Sequence, residues 1–245
     1  MELTIFDHIL VAILFIVLPV LSVTDYRKCK SQLSAGKPTA RLFLYRIWIG
    51  WSWGLTLAVA ALWLVNKRSI PQLGFGFETG RGFWIGLAIT VVVCGLAIIQ
   101  AIALRRDPEK LRAAARQLEP IQAMIPRTSH EAWEFSALSI TAGICEEILY
   151  RGYLMVYITS TIAIESMWPA SLLSSLAFGL GHAYQGPKGV LKTGLFGLAM
   201  AGLYLLTGSI WLLIVLHAVI DLVSGSIGRA AIAACEAAPE TVDPC

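Results

Sequence analysis

Charged residues are scarce in this chain of 245 residues, of which aspartate, glutamate, lysine and arginine make up only 14%. A soluble domain usually contains about 25%. Hydrophobic residues make up 57%, and the mean hydropathy is +0.70. This composition excludes an ordinary soluble domain and predicts a membrane protein with several spans. The net charge is only +3, and no soluble basic face is evident, so we expect no nucleic-acid partner.

Several common catalytic and metal-binding patterns are also absent. The five cysteines have no CxxC spacing and fit no zinc pattern. The segment from His130 to Glu134 begins like HExxH but lacks the second histidine, and no GxSxG segment occurs. Ser224-Gly225 follows Leu222, where a serine intramembrane protease of the GxSG type needs glycine. The sequence therefore contains none of these four patterns.

Long apolar runs dominate the sequence and are separated by short polar linkers. They fall near residues 6–24, 42–65, 83–104, 135–158, 167–184, 190–207 and 209–228. About 20 apolar residues in a helix cross a bilayer. The runs predict an all-α fold, a polytopic transmembrane helix bundle of about seven to eight spans. A bend or break at Gly152 would account for the eighth.

The basic residues predict how the chain crosses the membrane. The first linker, Asp25 to Arg41, has five basic residues and the third, Arg105 to Glu131, has six, against three in the second, Asn66 to Gly82. The positive-inside rule places the first and third linkers in the cytoplasm and the N-terminus outside. We also expect an amphipathic surface helix around Asp107–Gln117. With no organelle signal in the sequence, a bacterial plasma membrane is the expected location.

The fourth run contains the charged cluster Glu146, Glu147 and Arg151. Each such group costs roughly 2.5–3.5 kcal/mol at the centre of a membrane helix, so it normally faces the protein interior or a wet cavity. At about 100° per residue, Glu147 and Arg151 lie about 40° apart and one turn along, which predicts an ion pair that braces the helix. Glu146 points elsewhere and shares its face with Tyr150. It remains as the free carboxylate, suited to act as a general base.

Two of the four histidines lie in apolar runs. His182 ends the motif Phe178-x-x-x-His182, in which both side chains share a helix face. His217 begins His217-x-x-x-Asp221, with the same spacing. A single buried histidine is more often a satisfied core residue. Two histidines, an aspartate and a free glutamate on three separate spans instead predict one shared functional site.

Two further features concern packing. The helix with Gly194, Gly197, Ala201 and Gly202 has small residues at a spacing that lets membrane helices approach closely. Arg46 lies inside the second run, where it either extends toward the basic linker or pairs with an acidic residue. The sequence leaves both possibilities open.

The three motifs Glu146-Glu147-x-x-x-Arg151, Phe178-x-x-x-His182 and His217-x-x-x-Asp221 stand in this order on successive runs. In this respect the chain resembles the CPBP family, the CAAX protease and bacteriocin-processing family of intramembrane endopeptidases. Its eukaryotic members resemble the type II CAAX prenyl protease. The resemblance covers roughly residues 130–228. We therefore expect N-terminal spans and linkers over 1–130, a catalytic core over 131–229 and a flexible tail over 230–245.

The resemblance implies a helical bundle with a conical cavity that holds the catalytic groups. It implies that Glu146 is the base, that His182 helps it to hold the attacking water, and that His217 and its partner one turn on stabilise the oxyanion. The family commonly has asparagine where this chain has Asp221. Asp221 must therefore be protonated, orient His217 through its ring N–H, or bind a metal; we favour one of the last two roles.

The expected cofactor is Zn²⁺ or none. Glu146, His182, His217 and Asp221 could supply a zinc set with one position open for water. A water activated by glutamate without metal is equally consistent with the sequence.

The function we expect is that of an intramembrane endopeptidase, a CPBP-type metalloendopeptidase by its family label. It would act at the membrane, among its lipids, on a hydrophobic peptide or a prenylated protein. One alternative is a non-catalytic binding or immunity protein of the same fold. The other is an ion or proton carrier, which would predict an inverted repeat that the sequence does not show.

Overall fold

The structure is a computed structural model that describes residues 2–76, 79–162 and 166–237. Within these ranges the regular structure is helical throughout and contains no β-strand. The predicted all-α membrane bundle is therefore confirmed. The described α-helices are α1 Ile5–Ala12, α2 Leu18–Ser34, α3 Ala40–Val65, α4 Arg81–Arg105, α5 Pro108–Gln117, α6 Ser129–Glu146, α7 Met155–Ile162, α8 Trp168–Gly181, α9 Gly186–Thr207 and α10 Trp211–Glu236.

Two π-helical segments join helices without a break. Ile13–Val17 connects α1 to α2, and Glu147–Leu154 connects α6 to α7. The run that was predicted to bend or break at Gly152 is therefore one continuous helix, with that glycine inside the wider π-helical turns. A β-carbon at Gly152 would lie 2.8 Å from the carbonyl oxygen of Leu73. Glycine is needed here because the second linker packs directly onto the helix.

Five helical segments are long and apolar enough to cross a membrane within the part of the chain that the structure describes. The fourth and fifth predicted runs are helical but fall outside this set, because the fourth carries Glu146, Glu147 and Arg151 and α8 has only 14 residues. The five are Ile5–Ser34, Ala40–Val65, Arg81–Arg105, Ala183–Thr207 and Trp211–Glu236.

The helices that carry the predicted motifs pack closely together. A β-carbon at Gly179 of α8 would lie 2.7 Å from the carbonyl oxygen of Val190 in α9. A β-carbon at Gly143 of α6 would lie 2.9 Å from the β-carbon of Ala218 in α10. Small residues therefore set both helix contacts, as expected for membrane helices. They bring α8, α9 and α10 together around the π-helical segment.

One end of the bundle joins the first and third linkers. Arg41 donates from Nε to the carbonyl oxygen of Ala123 at 3.0 Å and from Nη1 to Glu131 at 2.9 Å. Glu131 also accepts from the backbone N–H of Thr128 at 3.1 Å, in a capping box that begins α6. Arg46, whose role was left open, pairs with Glu134 at 2.5 Å. Ion pairs therefore fasten this end.

The opposite end joins the N-terminal segment to the second linker. Arg68 donates to both carboxylate oxygens of the fully buried Asp7, at 2.8 and 2.7 Å. Tyr153 of the π-helical segment donates to the backbone oxygen of Asp7 at 3.0 Å. With 26 residues at about 1.5 Å each, α3 separates the two ends by enough to cross a bilayer.

The predicted surface helix is α5. Asp107 caps it by accepting from the backbone N–H of Lys110 at 3.1 Å, and the helix buries Leu111 and Ala115. At the other end of the chain, α10 continues past Ala230, where a flexible tail was expected, and ends at Glu236. The remainder of that predicted tail, residues 238–245, lies outside the described residues.

Candidate active site

The π-helical segment Glu147–Leu154 holds a buried ion pair. Glu147 Oε1 lies 3.0 Å from Nη1 of Arg151, and neither side chain is more than 1% exposed. The guanidinium also donates from Nη2 to the carbonyl oxygen of Gly197 at 3.1 Å and lies 4.5 Å from the ring centre of Phe178. Arg151 therefore connects its own helix to α8 and α9. The structure brings together the two residues that the sequence predicted as an ion pair.

Glu147 has a second partner that the sequence did not predict. Its Oε1 lies 2.7 Å from Nδ1 of His217, which is 3% exposed. Because Oε1 also accepts from Arg151, it acts as the acceptor of this hydrogen bond and the ring nitrogen donates it. The bond fixes the orientation of the ring and turns Nε2 away from Glu147.

Glu146 lines a cavity of about 500 Å³. Its side chain is 22% exposed, but its Oε2 atom is buried and has no hydrogen-bond partner among the described residues. Nε2 of His217 lies 3.9 Å from this oxygen. That separation is too long for a direct hydrogen bond and short enough for one bridging water.

His182 ends α8 and lines the same cavity. Its Nδ1 lies 2.8 Å from the carbonyl oxygen of Phe178, one turn earlier. A carbonyl oxygen can only accept, so Nδ1 donates and Nε2 is the acceptor in the neutral ring. The ring centre of Phe178 lies 4.7 Å from that of His182, 5.9 Å from that of His217 and 5.3 Å from that of Tyr150. Phe178 therefore packs between the predicted site residues.

Asp221 also lines the cavity, with 38% of its side chain exposed. Its Oδ2 lies 3.8 Å from Nε2 of His217, which is beyond hydrogen-bond distance. The orienting role that we favoured for this residue is therefore not what the structure shows, because Glu147 makes the orienting hydrogen bond at Nδ1. The catalytic role of Asp221 remains a prediction.

The second half of the chain matches a known protein family. Residues 128–223 match the family model described as type II CAAX prenyl endopeptidase Rce1-like. This segment is similar to the CAAX protease family. It begins at the cap of α6, ends just after Asp221, and so contains every predicted site residue. No curated protein and no solved structure matches the chain.

The similarity of this segment to the CAAX protease family supports an intramembrane protease in general terms. With its candidate membrane spans, the chain is an integral membrane protein. The family match covers less than half of the chain and does not extend to the basic linkers of the first 127 residues. Those residues still contribute to the cavity of the matched segment, through side chains of α2 and α3 such as Asp25 and Trp48.

The zinc ion suggested by the sequence remains a prediction, and the structure does not place the four side chains of the predicted set as a metal-binding group. Within the described ranges, no three His, Cys, Asp or Glu side chains form a group that could hold a metal ion. His217 and His182 use Nδ1 for Glu147 and Phe178 and leave Nε2 on each ring, so the placement of the side chains, and not the chemistry of the rings, is what departs from a metal set. We therefore derive no catalytic step through a metal.

Sequence reasoning missed three contributors to the site. The first is Glu147 as the partner of His217, which is 70 residues away in the chain and has no local signal. The second is the backbone oxygen of Gly197, which accepts from Arg151. The third is Phe196, whose ring centre lies 5.5 Å from that of His217. The glycine-rich pattern of α9 marked the region of the last two as a packing surface but did not indicate their roles.

Proposed function

We propose that the chain is an intramembrane endopeptidase that hydrolyses a peptide bond with a water activated by Glu146. The observation that carries this proposal is the position of Glu146 Oε2, which is buried at the cavity, lacks a hydrogen-bond partner among the described residues and lies 3.9 Å from His217 Nε2. A general base must reach the proton that it removes, directly or through one water. This oxygen meets that condition.

In the proposed reaction, Glu146 takes a proton from the water as the water oxygen attacks the carbonyl carbon of the scissile bond. His182 holds the same water, because its Nδ1 donates to Phe178 and its Nε2 is left to accept. The proton on Glu146 then passes to the leaving nitrogen as the C–N bond breaks. The products are a new carboxyl group and a free amine.

His217 stabilises the negative charge that develops on the carbonyl oxygen. In its imidazolium form the ring donates from Nε2 to the oxyanion, while Nδ1 donates to Glu147. The carboxylate of Glu147 at 2.7 Å and that of Asp221 at 3.8 Å favour the positive charge on the ring. Arg151 in turn pairs with Glu147 and holds it in place.

We propose that the substrate is a hydrophobic or prenylated peptide. The name of the matched family refers to prenyl endopeptidases, and the wall of the cavity formed by α2 and α3 is largely apolar. A lipid-like chain or an apolar peptide would lose little hydration energy by binding there. The apolar residues of this wall are Leu18, Leu21, Trp48, Trp51 and Leu55.

Peptide cleavage by the purified protein in detergent tests this function. We expect wild type to cleave a hydrophobic, fluorescence-quenched peptide, and Glu146→Gln to bind the peptide with similar affinity but not to cleave it. Glu109→Gln, on the exposed side of α5, is the matched control and should cleave as wild type does. Binding without cleavage by the wild type would show a binding protein of this fold and contradict the proposal.

A further inference from the structure

Tyr150 of the π-helical segment is buried, but its hydroxyl group is not paired within the protein. The residue is only 4% exposed, and it lines the cavity. Its hydroxyl makes no hydrogen bond with any described residue. The other tyrosine of the segment, Tyr153, instead donates to the backbone oxygen of Asp7 at 3.0 Å. Because buried polar groups are usually hydrogen-bonded, an unpaired hydroxyl at a cavity is available to a ligand.

The residue before His182 shows where this hydroxyl lies. A β-carbon at Gly181 would lie 3.2 Å from the hydroxyl oxygen of Tyr150 and would meet nothing else within 4 Å outside its own stretch of helix. Gly181 also lines the cavity. The ring centre of Tyr150 lies 5.3 Å from that of Phe178, which packs against His182 and His217 as well. The hydroxyl therefore lies at the cavity wall, beside the end of α8 that carries His182.

The proposed reaction has a place for one more hydrogen-bond donor. His217 is so far the one donor assigned to the oxyanion. Asp221 lies 3.8 Å from its Nε2, but an ionised carboxylate can only accept a hydrogen bond. Glu146 and His182 act on the attacking water, and both accept from it. A phenol is a neutral donor, so it can stabilise an oxyanion without adding a charge to the cavity.

We propose that Tyr150 is a further catalytic residue, whose hydroxyl donates a hydrogen bond to the oxyanion together with Nε2 of His217. The inference rests on the proposed endopeptidase function. The hydroxyl keeps its proton throughout, so the proton still passes from the water to Glu146 and from there to the leaving nitrogen. A donor of this kind acts on charge that develops in the transition state, and it contributes little to the binding of the uncleaved peptide.

The chain contains a matched control for removing a tyrosine hydroxyl. Tyr204 of α9 is 9% exposed, and its hydroxyl likewise makes no hydrogen bond with any described residue. That oxygen also lies near a glycine, because a β-carbon at Gly74 would be 2.9 Å from it. Tyr204 does not belong to the described lining of the cavity. Phenylalanine at either position keeps the ring and removes one oxygen, so the two variants differ in whether that oxygen belongs to the site.

The experiment compares Tyr150→Phe with Tyr204→Phe in detergent. We expect Tyr150→Phe to lower the cleavage rate at saturating peptide about 100-fold, which is the usual loss when one oxyanion donor is removed. Its thermal unfolding should stay close to that of wild type. In proteins that also carry Glu146→Gln, peptide affinity should be the same with Tyr150 and with Tyr150→Phe. Tyr204→Phe should cleave as wild type does.

Gly181→Ala tests the position of the hydroxyl independently. The added methyl group would displace the hydroxyl of Tyr150, so we expect cleavage to slow roughly tenfold. In the Tyr150→Phe protein the same change should cause no further loss, because the contact is gone. An equal effect of Gly181→Ala in both proteins would show that it acts through His182 and would count against the proposal.

Cleavage by Tyr150→Phe at the wild-type rate would overturn the proposal. A loss of peptide affinity or of thermal stability as large as the loss of cleavage would overturn it too, because the hydroxyl would then serve binding or packing. The proposal also fails if Tyr204→Phe slows cleavage as much as Tyr150→Phe does. Absence of cleavage by the wild type would instead contradict the endopeptidase function itself.

Discussion

Glu147 lies between a guanidinium and an imidazole, and this position explains why a carboxylate is completely buried in a membrane helix. Oε1 accepts from Arg151 at 3.0 Å and from His217 at 2.7 Å. A buried charge is tolerated only when it is paired and hydrogen-bonded. Glu147 therefore combines a structural role with the positioning of His217. Oε2 of Glu147 and Oε2 of Glu146 both lack a hydrogen-bond partner among the described residues, but only Glu146 lines the cavity.

The substitution Asp221→Asn tests whether Asp221 orients His217 or binds a metal. Because Glu147 holds the ring of His217, we expect the amide to preserve cleavage within about threefold of wild type. Changing a residue that orients a catalytic group or a metal ligand usually lowers activity or metal affinity about tenfold or more. Cleavage rates measured across neutral pH, with the metal content of the same samples, provide the comparison. A tenfold loss would restore the orienting or ligating role that the sequence suggested.

The contacts of individual residues were predictable from the sequence where the two partners are close together in the chain. The spacing of Glu147 and Arg151 indicates their ion pair because four residues make about one helical turn. The spacing of Phe178 and His182 indicates their contact for the same reason. The bond between Glu147 and His217 joins residues 70 positions apart, so no periodicity could indicate it. That is why the sequence favoured the nearer Asp221 as the partner of His217.

The π-helical segment is the element that arranges the site. Its wider turns leave backbone carbonyls to be satisfied by other helices. Ser174 of α8 donates to the carbonyl oxygen of Tyr150 at 2.7 Å, and the short α8 is thereby fixed to the segment. The existence of the helix was predictable from its apolar run. The π-helical geometry was not, because the estimate of about 100° per residue assumes an ordinary α-helix.

Gly197 tests how closely α9 must approach this segment. A β-carbon there would lie 3.1 Å from Cδ1 of Phe178 and 3.2 Å from Nη2 of Arg151, whereas one at Gly202 would meet nothing within 4 Å. We expect Gly197→Ala to destabilise the protein by roughly 1–3 kcal/mol, as overpacking does, and to lower cleavage. Gly202→Ala should be neutral or slightly stabilising. Thermal unfolding in detergent measures both, and equal stability of the two variants would contradict the close contact.

Each end of the molecule is held together by its own set of contacts. Arg41 and Tyr45 of α3 bond to the backbone of Ala123 and Met124, which places the first and third linkers at one end. The pair of Asp7 and Arg68 places the N-terminal segment and the second linker at the other. The cavity extends toward the end with the first and third linkers, since Leu118, Ile121, Met124 and Ile125 contribute to its lining.

Reporter fusions test which end faces the cytoplasm. The excess of basic residues in the first and third linkers predicts signal from a cytoplasm-only reporter fused after Lys37 and after Arg116. A fusion after Gly80, in the second linker, should give none. Signal after Gly80 together with silence at the other two positions would reverse the predicted orientation and place the opening of the cavity outside.

In the proposed mechanism Glu146 is the general base, and Glu147 is the partner that holds Arg151 and His217. Peptide cleavage measured beside thermal unfolding tests this assignment most directly. Glu146→Gln should abolish cleavage and leave stability close to wild type, because its Oε2 makes no hydrogen bond to the described residues. Glu147→Gln should lose roughly 3–5 kcal/mol of stability, because Arg151 would be buried without a counterion. Cleavage by Glu146→Gln, or an equal loss of stability in both variants, would contradict the account.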